Sequence, residues 1–133
     1  MELIKRNSDY ALSSLAYMAR FPIGKIFTIK LISKKQDIPQ AFLKKIFQKL
    51  SLHKIVSSQR GPSGGFYLLL KPRKIPLRKI LESVQGRISL SDCLFENNLC
   101  GRSRRCKIRI GLSDIQKKLV SLLDRHNLED FLT

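Results

Sequence analysis

Tryptophan is absent from this 133-residue chain, so its core must be aliphatic, helped by seven Phe and three Tyr. Acidic residues are few: ten Asp and Glu stand against 26 Lys and Arg, a formal net charge of +16. That balance suits a surface that faces a polyanion, although charge alone equally suits a solvated basic face or a ribosomal passenger. No apolar run is long enough for a signal peptide or a membrane span, so the chain is expected to work in the cytoplasm, with no membrane partner. Catalytic constellations are lacking too. There is no Ser/His/Asp set, no cleft pattern of paired carboxylates and no nucleotide-binding signature, so an enzyme is not expected. The one Gly-rich run, Gly61-Pro62-Ser63-Gly64-Gly65, has no Lys-Ser/Thr after it and is not a P-loop. Internal repeats and low-complexity segments are missing as well.

What is present is unevenly spread. Residues 1–86 hold 17 Lys and Arg against 4 Asp and Glu, a balance of +13, whereas residues 87–133 hold 9 against 6. The basic part also has the pattern of a DNA reader. Residues 8–20 read as a helix with Tyr10, Leu12, Leu15, Ala16 and Ala19 on its apolar stripe, and Ser8 or Asp9 suits its N-cap. Phe21-Pro22-Ile23-Gly24 breaks it. Thr28 can cap a short helix over Ile29–Gln36, and Asp37-Ile38-Pro39 makes a turn. A third helix then runs to about His53, with Pro39 in its first turn. Phe42, Leu43, Ile46, Phe47 and Leu50 are its core positions; Gln40, Ala41, Lys44, Lys45, Gln48 and Lys49 remain outside. Two short helices around a turn, the second rich in Lys and Gln, form a helix-turn-helix pattern. Ile55–Ser58 and Phe66–Leu70 read as two strands around a Gly-rich turn, a wing. Leu77, Ile80, Leu81 and Val84 mark a fourth helix, ended by Gly86.

Each candidate DNA contact has its chemistry. Gln40 can pair with adenine, Lys44 and Lys45 can reach guanine or only phosphate, and Ala41 can touch a thymine methyl. Arg60 on the wing can enter a narrow minor groove. Gly61, Ser63, Gly64 and Gly65 let the backbone approach phosphate, and Thr28 stands at the head of the second helix. His53 suits a helix end or a phosphate, and His126 reads as structural.

The only three cysteines, Cys93, Cys100 and Cys106, are spaced Cys-x6-Cys-x5-Cys among Arg102, Arg104, Arg105 and Lys107. Three is odd for a disulfide framework and one short of a closed four-ligand metal site. Thiolates are soft ligands for zinc or iron–sulfur clusters, and the cations beside them favour the charged form. Spacing alone leaves zinc and an iron–sulfur cluster level. Free thiols acting in redox sensing are the third reading. After Cys106, Ile108, Leu112, Ile115, Leu119 and Leu122 follow at spacings of 4, 3, 4 and 3, a narrow seam that suits packing along another helix in a homodimer.

Together these residues resemble the Rrf-two family of winged-helix transcription regulators, whose members include IscR-like and NsrR-like proteins. The resemblance rests on Asp9-Tyr10-Ala11-Leu12, on Ile38-Pro39 through Leu50, and above all on Arg60-Gly61-Pro62-Ser63-Gly64-Gly65-Phe66. The cysteines and the long final helix complete it. It implies a mainly α fold with a small β wing, a homodimer on a double-stranded DNA operator, and an iron–sulfur cluster that controls binding and that an apo form lacks. IscR-like members take a histidine three residues after the last cysteine as fourth ligand; here that position is Arg109, which cannot ligate iron. NsrR-like members take an aspartate early in the first helix of the partner subunit, and Asp9 holds that position. The match favours 4Fe–4S over 2Fe–2S. Read as an ordinary helix cap instead, Asp9 would be worth about 1 kcal/mol. The organisation expected is a DNA-binding domain over 1–86, a cluster loop over 87–106 and a dimerisation helix with C-terminal segment over 107–133. Competing readings are a cofactor-free or zinc-binding winged-helix regulator, and a basic RNA-associated structural protein with a zinc knuckle.

Overall fold

The computed structural model describes residues 2–91, 94 and 106–132. Among these are five helices and a two-stranded antiparallel hairpin: α1 (Arg6–Met18), α2 (Ile29–Gln36), α3 (Gln40–Leu52), β1 (Val56–Gln59), β2 (Gly65–Leu68), α4 (Leu77–Gln85) and α5 (Lys107–Arg125). A 3-10 turn, Pro72–Lys74, precedes α4, and another, Leu128–Phe131, ends the fold.

The starts of the first three helices have different causes. Thr28 caps α2 as expected, its Oγ1 accepting from the Leu31 backbone N–H at 3.1 Å. Asp37 ends α2 in the left-handed region at φ 55°, which Asp tolerates better than most residues. Pro39, preset for the entry, stands one place before α3. At α1 the expectation of a Ser8 or Asp9 cap is wrong. The N-cap is Lys5, with no side-chain cap of its own, and Ser8 lies fully buried inside the helix. The Lys5 N–H finds its partner eighty residues away, in the Gln85 side chain.

One main core joins α1 (Ala11, Leu15, Met18), α2 (Ile32), α3 (Leu43, Ile46, Phe47, Leu50) and the hairpin base (Ile55, Val56, Leu68) to Ile80 and Val84 of α4. A second cluster lies on the other side of α4, where Leu77 and Leu81 meet Ile88 and Leu123, with Leu12 and Leu119 packed against them. α4 is thus the shared wall between the helix-turn-helix and α5. The chain end closes on the same wall. Leu77 N–H donates to the His126 carbonyl at 2.9 Å, and Leu128 N–H donates to that of Ile75 at 3.0 Å. Asn127 and Asp130 form a capping box there. The Asn127 N–H, with a smaller contribution from His126, holds the Asp130 carboxyl below the ordinary carboxylate range.

No described helix is long and apolar enough to cross a membrane.

Candidate nucleic-acid interface and cysteine segment

α3 turns its apolar stripe inward and leaves Gln40, Ala41, Lys44 and Lys45 exposed along its outer side. None of Lys44, Lys45 or Arg60 is in an ion pair among the described residues, so their charges remain available to a polyanion. Phe42 departs from expectation. Its spacing reads as core, yet it lies on the flank of α3, 46% exposed, with its ring 6.1 Å from that of Tyr10. His53 closes α3, its Nδ1 3.0 Å from the Lys49 carbonyl oxygen, as a helix-end residue should be.

The wing is built beside α3 and tied to it. Strand register runs from Val56 opposite Leu68 to Gln59 opposite Gly65. The Phe66 ring packs 5.1 Å from Phe47 on the inner face of α3. Phe27 adds a third edge: it exchanges backbone hydrogen bonds with Phe66 at 2.8 and 2.7 Å. Sequence reading missed this bridge, although the apolar, β-branched run Ile26-Phe27-Thr28-Ile29 carries the signal for a short strand. At the tip, Arg60, Gly61 and Ser63 are exposed, and Gly61 holds φ +111°, a conformation that suits glycine. Gly64 and Gly65 act differently. A Cβ on Gly64 would overlap the Gln59 carbonyl oxygen, and one on Gly65 that of Phe27. Those two glycines permit the wing's close packing. Thr28 is exposed, and its hydroxyl, already accepting from Leu31, keeps a hydrogen to donate.

The cysteines divide. Cys106 is a free, partly exposed thiol at the N-cap of α5. Cys93 and Cys100 lie outside the described residues. Asp9 is exposed in the first turn of α1, and its carboxylate makes no hydrogen bond or ion pair among the described residues. The seam of α5 also divides. Leu119 packs against the second cluster beside buried Leu123, and Leu112 is half-buried. Ile108, Ile115 and Leu122, seven residues apart, are 70%, 55% and 49% exposed. His126 lies just past the helix as its C-cap and meets Asp130 at 3.2 Å.

A recognition helix and a wing joined through Phe47 and Phe66, with unpaired cations on their outer side, define a winged-helix DNA-binding protein. The profile of the Rrf2 (Rrf-two) family, described as iron-dependent transcriptional regulators, matches residues 4–133. The chain belongs to that family and is therefore a transcriptional regulator rather than an enzyme. It is 24% identical over 127 residues to the transcriptional regulator NsrR of Halalkalibacterium halodurans, covering 95% of this chain and 87% of that one. It is 30% identical over 101 residues to IscR of Aliivibrio salmonicida, covering 76% and 60%. The fold matches that of CymR, the global cysteine regulator of B. subtilis, with a TM-score of 0.72 at 22% identity over 98% of this chain and 96% of that one.

Proposed function

We propose that this chain is a homodimeric operator-binding regulator whose hold on double-stranded DNA is set by an iron–sulfur cluster, with Cys93, Cys100, Cys106 and Asp9 of the partner subunit as the ligands. The observation that carries this reading is the state of Asp9. An aspartate early in a helix ordinarily serves the helix itself, but the start of α1 is tied to Gln85 instead, and the Asp9 carboxylate stands exposed with no partner among the described residues. Cys106, a free thiol at the head of α5, fits the same donor set. Three soft thiolates and one hard carboxylate suit an iron–sulfur centre, 4Fe–4S before 2Fe–2S. Bound there, the cluster would supply an iron with a weaker fourth ligand, open to nitric oxide, oxygen or a change in iron–sulfur supply.

DNA contact falls to Gln40, Ala41, Lys44 and Lys45 for bases and nearby phosphates, to Arg60 for the minor groove, and to Thr28, Gly61 and Ser63 for the backbone. A second copy of the chain is the occupant of the Ile108, Ile115 and Leu122 face, because a heptad-spaced apolar row is what a partner helix covers. The domain limits 1–86, 87–106 and 107–133 follow the same division of labour.

The test is anaerobic expression with iron and sulfide counts. Wild type should be brown, and Cys93→Ala, Cys100→Ala and Cys106→Ala should each lose the chromophore. If all three keep wild-type iron and sulfide, the ligand set is wrong. A colourless wild type that still binds a palindromic operator would leave a zinc-binding or cofactor-free regulator.

A further inference from the structure

We infer that the last turn of α4 is a joint that positions both helices of the reading head, with Gln85 and Lys49 as its positioning residues. The start of a helix leaves backbone N–H groups without partners. At α1 the Gln85 Oε1 accepts from the Lys5 N–H at 3.1 Å and from the Ser8 hydroxyl at 2.6 Å. Its Nε2 donates to the Leu3 carbonyl at 2.8 Å. One amide therefore takes the N–H of the N-cap residue, as the second side chain of a capping box would, and ties the start of α1 to α4. Its neighbour holds α3: the Lys49 ammonium donates to the Val84 carbonyl at 3.2 Å. A cation at a helix C-terminus is favourably placed against the helix dipole. Lys49, on the reading helix of a DNA-binding protein, thus spends its charge inside its own subunit.

The chain leaves this joint toward the cysteines in a fixed way. Gly86 has φ +87° and ψ −176°, a region that is essentially glycine's alone. Ile88 then enters the second cluster, and Leu90 N–H donates to Gln116 Oε1 of α5 at 2.9 Å. The segment after α4 is anchored on both α4 and α5, so a displacement that begins beyond it bears on the turn that holds α1 and α3. That last link rests on the proposed function. The positioning of the two helices does not.

The experiment uses full-length protein, an operator fragment and an unrelated duplex across a salt series, with hydrogen exchange on residues 3–9. Lys49→Met keeps the stem and removes the ammonium. It should weaken operator binding roughly tenfold with an unchanged salt slope, because no phosphate contact is lost. Gln85→Leu should speed exchange in the first turn of α1 and cost a similar factor on the operator but not on the unrelated duplex. Gln85→Glu keeps both acceptor contacts and should restore most of both. The double variant Lys49→Met/Gln85→Leu should lose less than the product of the single effects, since both act on one turn. A salt slope flattened by about one unit in Lys49→Met would make Lys49 a phosphate contact and overturn its role. Wild-type exchange and wild-type operator affinity in Gln85→Leu would overturn that of Gln85. If Gln85→Leu fails to fold, Gln85→Glu and Lys49→Met still decide. Comparing iron–sulfide-reconstituted with apo protein separates the two readings. A wild type whose operator affinity ignores reconstitution sinks the cluster reading and leaves the joint to be judged on slope and exchange. A responsive wild type whose Gln85→Leu variant responds equally disconnects the joint from the cysteines.

Discussion

At the scale of single residues the wing separates backbone demands from recognition. Gly65 lies where a Cβ would overlap the Phe27 carbonyl oxygen, at the point where the third edge joins β2. Gly65→Ala should therefore cost about 2 kcal/mol of stability, measured by chemical denaturation, and should remove operator binding by displacing the wing. Arg60 is exposed beside it with no ion pair among the described residues, so Arg60→Ala should change stability by less than about 0.5 kcal/mol. Its loss should appear in binding, greatest on operators with an A·T-rich minor groove, where negative potential is concentrated. Equal affinity of wild type and Arg60→Ala on such operators would remove Arg60 from the reading surface. The sequence motif was legible here because turn chemistry is local. The packing of Gly64 and Gly65 against the carbonyls of Gln59 and Phe27 was not legible, because those neighbours come close only after folding. Phe42 misled for the same kind of reason: helical spacing marks a stripe but does not say how wide the buried arc is.

Among elements, α5 carries the sharpest test. Its apolar row was legible as a period, yet of its five residues only Leu119 packs into a core cluster of the same chain. Leu119 faces α4 and the second cluster, whereas Ile115 is exposed on the neighbouring side. Leu119→Asp should then damage the subunit itself, because an unpaired carboxylate would enter apolar packing. Ile115→Asp should leave helix content and cooperative unfolding nearly intact while converting a dimer to a monomer at micromolar concentration. Sedimentation finding wild type already monomeric would sink the dimer. Elsewhere the element limits were readable to within a few residues wherever punctuation was local: Thr28 before α2, Pro39 before α3, Gly86 after α4. The start of α1 was not, since its partner is Gln85 and nothing in residues 1–9 announces a contact with α4. Lys49 is exposed as expected, but its bond to the Val84 carbonyl was not legible, since that partner is equally remote in sequence.

For the whole molecule, the question is how one exposed carboxylate could govern a head that carries a balance of +13 over residues 1–86. Asp9 cannot do so by its charge alone, since a single exposed charge is screened within about 8 Å at physiological salt. It could do so as a mechanical tie. α1 packs on α3 and α4 through Ala11, Leu15 and Met18, so a bond from its first turn to the partner subunit's cysteine segment would fix the separation of two reading heads, which must match the half-sites on DNA. Asp9→Ala should give a cluster that is labile in air and DNA binding that no longer follows reconstitution, while stability of the apo protein changes by less than about 0.5 kcal/mol, because Asp9 caps nothing. Asp9→Cys should give a longer-lived centre that responds less to nitric oxide, since a thiolate is the softer and firmer ligand for iron. Absorbance decay, nitric-oxide titration and operator affinity before and after reconstitution read all three. If Asp9→Ala keeps wild-type values in each, the tie does not exist, and the fourth ligand belongs to water, a small thiol or another side chain.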